Sequence, residues 1–163
     1  MADDDLQRFV LAQEPRMDDV AGELRAGRKR THWMWFVFPQ LRGLGHSQMA
    51  WHFGLQSREE AVAYLAHPVL GARLRECVAL LLDVDGRTAH DIFGSPDDLK
   101  LRSCLTLFRE IDGAQGVFDR ALSRFCGGRP DPATLQLLAR PRRRAAPLAA
   151  STSTRPPRRS PAR

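Results

Sequence analysis

Two segments of the chain combine apolar residues with groups able to do chemistry. The first reads His32-Trp33-Met34-Trp35-Phe36-Val37-Phe38-Pro39-Gln40, with Arg28-Lys29-Arg30 before it and Gly43, Gly45, His46 and Ser47 after it. Burial alone accounts for the aromatics, since each such side chain removes roughly 150–250 Å² from water. It does not account for His32 and Gln40, whose polar atoms need partners if buried. The indole faces of Trp33 and Trp35 stack on planar rings, and an imidazole titrates near neutral pH, the property of a general base. The glycines at 43 and 45 permit close backbone approach to a ligand, and serve equally as turn residues.

The second segment starts at Ser95-Pro96-Asp97-Asp98. Leu101, Cys104, Leu105, Phe108 and Ile111 recur at helical spacing and form a core stripe. Lys100 and Ser103 flank it on one side, and Arg102, Thr106 and Arg109 on the other. Ammonium, guanidinium and hydroxyl groups beside an apolar stripe can line an anion pocket. The competing reading is a solvated face with an Asp98–Arg102 ion pair worth about 0.3–0.5 kcal/mol. Taken together, the two segments predict a site for a small anionic or nucleotide-like ligand. Its residues are His32, Trp33, Trp35, Gln40, Ser47, Lys100, Arg102 and Ser103, with His32 the first candidate for a catalytic base.

Other chemistries leave no trace. The chain has no G-x-G-x-x-G, Walker, G-x-S-x-G or H-E-x-x-H motif. Histidines 32, 46, 52, 67 and 90 never fall at i, i+4 with a carboxylate between them. Cysteines 77, 104 and 126 are an odd number without C-x-x-C, which argues against a disulfide framework and a zinc site. No metal and no cofactor is expected. Cys77 and Cys104 sit on apolar stripes and read as inert core thiols.

These residues are positioned by an all-α body. Asp3 to Asp5 can cap a helix whose inner face is Leu6, Phe9, Val10 and Gln13. Pro15 suits a first helical position, followed by Met17, Val20, Ala21 and Leu24 and a stop at Gly27. Ser57-Arg58-Glu59-Glu60 is a capping box. Pro68 opens a helix carrying Leu70, Leu74, Cys77, Val78 and Leu81. Ser95 is expected to cap the next, with Pro96 at its first position. Val117, Phe118, Leu122 and Phe125 lie on a further helix ended by Gly127-Gly128, and Asp131-Pro132 starts a last one with Leu135 and Leu138. Trp33 to Phe38 fits a helix or a short strand equally well. Leu74, Cys77, Leu81, Leu105, Phe108 and Phe118 are expected in one common core.

The 163 residues carry a formal charge of +6, very unevenly placed. Before residue 139 lie 17 basic and all 19 acidic residues, a net of −2, whereas residues 140–163 hold eight arginines and no acid. The high pI thus belongs to the tail and does not make the body a basic nucleic-acid domain. The expected organisation is a helical domain, 1–138, and a disordered Arg/Pro/Ala/Ser tail, 139–163. Hydrophobic content of 43% with 12 aromatics supports a core. The longest apolar stretch, Cys77 to Leu82, is too short to span a bilayer, and the acidic N-terminus does not suit a signal peptide. A reduced, cytoplasmic protein with no membrane partner is expected.

Four stretches resemble a bacterial family catalogued as domain of unknown function 1810: RKRTHWMWFVFPQLRGLGHS (28–47), YLAHPVLGARLREC (64–77), IFGSPDDLKLRSCLTLF (92–108) and FCGGRPDPATLQLL (125–138). The resemblance implies a small, cytosolic, all-helical protein and brings no established activity. Members often carry the label calpastatin. That name describes disordered polar repeats, unlike the aromatic-rich helical pattern here. Cys104 departs from the family, whose members typically have a second serine there, and the tail lies outside the resemblance.

Three functions from different classes fit these observations. The first is a ligand-binding protein, with or without catalysis, using the eight residues above. The second is a protein-interaction module with an aromatic docking groove. The third is an accessory protein binding nucleic acid weakly and non-specifically through the arginine tail. The position of the tryptophans separates them: lining a cleft beside Arg102 favours the first, and an exposed patch the second. Oligomeric state is not legible.

Overall fold

The computed structural model describes residues 2–140, and side chains from Asp5 onward. The described part contains ten helices and no strand. They are α1 (Ala2–Gln13), α2 (Met17–Arg25), α3 (Met34–Val37), α4 (Gln48–His52), α5 (Arg58–Ala66), α6 (Leu70–Leu82), α7 (Ala89–Phe93), α8 (Asp97–Asp112), α9 (Val117–Cys126) and α10 (Pro132–Ala139). The protein is all-α, as its periodicity predicts. The expected disorder of the tail concerns residues outside those described, apart from Ala139 and Arg140.

Helix α8 is the spine. Leu101 and Ser103 to Phe108 are all buried, and α5, α7, α9 and α10 pack around it. Helix α6 closes the body against α2, α5 and α9, while α1 lies on α3 and α5. Leu74, Cys77, Leu81, Leu105, Phe108 and Phe118 share the single core cluster with Trp33, Phe38 and Tyr64. Its rings pack edge-on or tilted, as in Phe9–Tyr64 at 5.0 Å and 87° between planes and Phe108–Phe118 at 5.5 Å.

Helix starts follow local chemistry, with several corrections. Ser57 accepts the Glu60 N–H at 3.1 Å, and Asp131 accepts that of Thr134 at 3.0 Å, satisfying donors that have no partner within the helix. Ser95 does not cap α8. Pro96 holds that position, and the Ser95 hydroxyl donates to Asp98 Oδ1 at 3.0 Å. Asp3 to Asp5 lie in the first turn of α1 rather than ahead of it, and Pro15 sits between α1 and α2. Helix α6 begins at Leu70, two residues beyond Pro68, because His67 Nδ1 accepts the N–H groups of Val69 and Leu70. The ambiguous 33–38 stretch resolves as one helical turn. Gly127 ends α9 in the left-handed conformation, φ 61°, which costs glycine little.

Between α3 and α5 the chain leaves the body and returns. Arg42 N–H donates to Leu55 O at 2.8 Å, and Leu55 N–H to Gln40 O at 3.0 Å. These two bonds tie the ends of the 41–55 excursion, which carries α4. Gly45 lets its near side fold onto α4: a Cβ there would meet the Ala50 Cβ at 2.6 Å.

Candidate functional site

The site begins with a row of charges between two tryptophans. Residues 33 and 35 bracket the start of α3, so their side chains diverge. Trp33 is fully buried, whereas Trp35 is only half-buried. Lys29 Nζ lies 5.2 Å from the centre of the Trp33 ring, and Lys100 Nζ lies 5.1 Å from that of Trp35. Asp97, the first residue of α8, stands between the two ammonium groups. Its Oδ2 is 2.9 Å from Lys29 and its Oδ1 is 3.5 Å from Lys100. Lys29 is thus committed at hydrogen-bond distance and 8% exposed. Lys100, at 23% exposed and with a longer contact, retains donor capacity, since an ammonium offers three N–H groups.

Lys100 faces two spaces. One is a recess of about 10 Å³ lined by Met34, Trp35, Phe38, Gln40, Ala50 and Phe53, large enough for about one water molecule. The Trp35 indole N–H is buried and meets no acceptor among the described residues. An unpartnered buried donor costs roughly 1–3 kcal/mol. The other space is an open cleft of about 480 Å³ running from Leu44–Ser47 to the starts of α8 and α10. Gln40 borders both spaces, and its amide has no hydrogen bond among the described residues.

The far wall is built by Asp131. Its Oδ2 takes the Ser103 hydroxyl at 3.2 Å, the Thr134 N–H at 3.0 Å and the Thr134 hydroxyl at 2.5 Å. Its own N–H donates to Thr106 Oγ1 at 2.9 Å, and Thr106 donates to Arg102 O at 2.7 Å. Asp131 Oδ1 has no partner among the described residues. The cleft is therefore amphoteric: the Lys100 ammonium lies toward one end, the Asp131 carboxylate at the other, and Leu44, Ala50 and Leu99 supply apolar surface.

Of the eight residues expected to converge, Gln40, Ser47, Lys100 and Ser103 line this cleft, and Trp35 lines the recess behind it. Three stand elsewhere. Trp33 is in the core. His32 is exposed and lines neither space. Arg102 turns to the opposite flank of α8. There Nε donates to Arg129 O at 2.9 Å and an Nη to Pro130 O at 2.8 Å, beside His90 and Cys126. The Asp98–Arg102 pair is not formed either. Asp98 instead meets His90 Nδ1 at 3.3 Å and the Leu99 N–H at 2.9 Å. Burial of Thr106 and Ser103 replaces the solvated flank.

Two polar lining residues, His46 and Asp131, fall outside the eight predicted from the sequence. Asp131 carries a local signal, since Asp before Pro is a helix start. Nothing local distinguishes His46 from the other histidines. Among the described residues no group of three His, Cys, Asp or Glu side chains is placed to hold a metal, and no helix is long and apolar enough to cross a membrane.

The chain belongs to the protein family of unknown function DUF1810, which it matches over residues 3–138. It is similar to the conserved hypothetical protein Rv1873 from Mycobacterium tuberculosis, whose crystal structure was solved at 1.38 Å. The two are 56% identical with a TM-score of 0.81, over 83% of this chain and 96% of that one. Among curated proteins none matches the chain.

Proposed function

We propose that this protein binds a small ligand whose anionic or acceptor group is received by Lys100, with the rest of the molecule in the Gln40–Ser47–Ser103 cleft. The observation that carries this reading is the Lys100 ammonium beside the unpartnered Trp35 N–H. A ligand oxygen at that point relieves the buried donor and uses the free N–H groups of Lys100. One ammonium facing the cleft, with Asp97 and Asp131 beside it, suits a single negative charge better than a polyphosphate. Leu44, Ala50 and Leu99 favour a partly apolar or planar ligand. His46 is the imidazole at this site, so any proton transfer falls to it rather than to His32. The aromatic docking groove has less support, because Trp33, Phe36 and Phe38 are buried.

A thermal-shift screen of the full chain with nucleoside monophosphates, sugar phosphates and carboxylates tests the proposal. A ligand at a hundredfold excess over Kd raises stability by about 2.7 kcal/mol. Lys100→Met keeps the aliphatic stem over Trp35 and removes the charge. It should abolish that shift while the unliganded protein unfolds within a few degrees of the parent. An anionic ligand that shifts both proteins equally would refute the site.

A further inference from the structure

A second surface lies on the far side of the 41–55 excursion. Trp51 is 62% exposed, the largest solvent-facing aromatic among the described residues. Arg42 lies over its ring, with the guanidinium carbon 4.3 Å from the ring centre, and Nε donates to the Trp51 carbonyl at 2.9 Å. Arg42 also lines a cleft of about 480 Å³ with Arg58 and Arg140, over a floor that includes Leu41, Leu137 and Leu138. An Nη of Arg58 is held on Glu110 O at 3.1 Å. Three arginines thus border one concavity whose single acidic lining residue is Glu59. Arg140 is also the first of the eight arginines in residues 140–163, a stretch with no acidic residue.

We propose that this face binds single-stranded nucleic acid: a base stacks on Trp51, and the backbone phosphates pass over Arg42, Arg58 and Arg140. An exposed indole is a platform for any base, and guanidinium groups around a concave floor track phosphates. Double-stranded DNA hides its base faces, so it would meet only the charge. An isolated surface Arg–Trp pair would require no ligand. That reading leaves unexplained why Arg42 also lines the cleft shared by Arg58 and Arg140. This surface is separate from the Lys100 cleft, and either proposal can fail alone.

The test uses the full chain with fluorescent oligo-dT of about 12 nucleotides and a duplex of matched length, titrated across a salt series. Oligo-dT should bind tighter than duplex and quench tryptophan emission. Trp51→Ala should weaken oligo-dT binding roughly tenfold with the salt slope unchanged, and Trp51→Phe should retain most of the affinity. Arg58→Ala should lower the log–log salt slope by about 0.7. Equal affinity for oligo-dT and duplex together with an inert Trp51→Ala would overturn the proposal, leaving charge in the C-terminal stretch as the sole attraction. Absence of binding at about 50 mM salt would overturn it as well.

Discussion

Gln13 is the polar residue that fixes α3, and with it Trp35, against the body. It is 1% exposed. Its Nε2 donates to Phe36 O at 2.6 Å and to the Tyr64 hydroxyl at 3.0 Å, tying α1 to both α3 and α5. Gln13→Leu keeps the approximate volume and removes both bonds, together with the long contact in which Arg73 donates to Gln13 Oε1 at 3.5 Å. It strands a buried carbonyl and a buried phenol, each costing about 1–3 kcal/mol, so a total of about 2–6 kcal/mol is expected. Urea denaturation followed by tryptophan emission should show the midpoint falling by about 1–3 M at an unchanged m-value. The partition can be checked. In a Tyr64→Phe background the phenol is already gone, and Gln13→Leu should cost about 1–2 kcal/mol less than in the parent. Strict additivity, or a single-variant cost below about 1 kcal/mol, would show that water reaches these groups and that Gln13 does not hold α3 in place.

Three further outcomes are expected. Leu105→Ala, in the middle of the buried face of α8, should cost roughly 2–5 kcal/mol in the same assay. Burial pushes Glu23 upward, but the N–H groups of Arg30 and Thr31, the Thr31 hydroxyl and the nearby Trp33 indole outweigh it and hold the carboxyl below its ordinary 4.5. A depressed carboxylate stabilises the fold above its unfolded value, and that stability is lost as pH falls through the folded value. Glu23→Gln should therefore be less stable than the parent at neutral pH, with the gap closing below pH 4.5 in acid denaturation. Burial, with Glu76 nearby, pushes the Cys77 thiol up to about 12, and burial raises Cys104 well above the ordinary range. Both should resist a thiol reagent at pH 8 until global unfolding, while stability falls as pH rises from 9.0 toward 12.

The long helices were legible because their signals are local. Leu70, Leu74, Cys77, Val78 and Leu81 display a helical period on their own, and caps such as Ser57 and Asp131 need only neighbouring residues. Helices α3, α4 and α7 have four or five residues each, too few to show a period. The site was half legible for a geometric reason. A helix turns about 100° per residue, so Lys100 and Ser103, three apart, share a flank, whereas Arg102 points some 160–200° away from Lys100. The same rotation separates Trp33 from Trp35. His46 joins the cleft only because the 41–55 excursion folds back on α4, and Asp131 because α10 docks on α8 at Thr106. Both placements are tertiary, so no spacing along the chain encodes them.

The way the 41–55 excursion is tied has an evolutionary consequence. The chain departs and re-enters at almost the same point, where two backbone hydrogen bonds join Gln40 and Arg42 to Leu55. The returning end is anchored further, since Phe53 packs on Phe9 and Phe36 in the core and Arg8 donates to the carbonyls of His52 and Gly54. The replaceable cassette is therefore the stretch before it, where each doubling of a flexible loop's length costs only about 0.6 kcal/mol. One face of the cassette presents His46 and Ser47 to the Lys100 cleft, and its other side presents Trp51. A single insertion or exchange within residues 43–51 would thus redraw two surfaces at once while leaving Phe53 in the core and Lys100, Ser103 and Asp131 in place. Divergence in what such proteins bind is cheapest here, where new chemistry can be tried without refolding the domain.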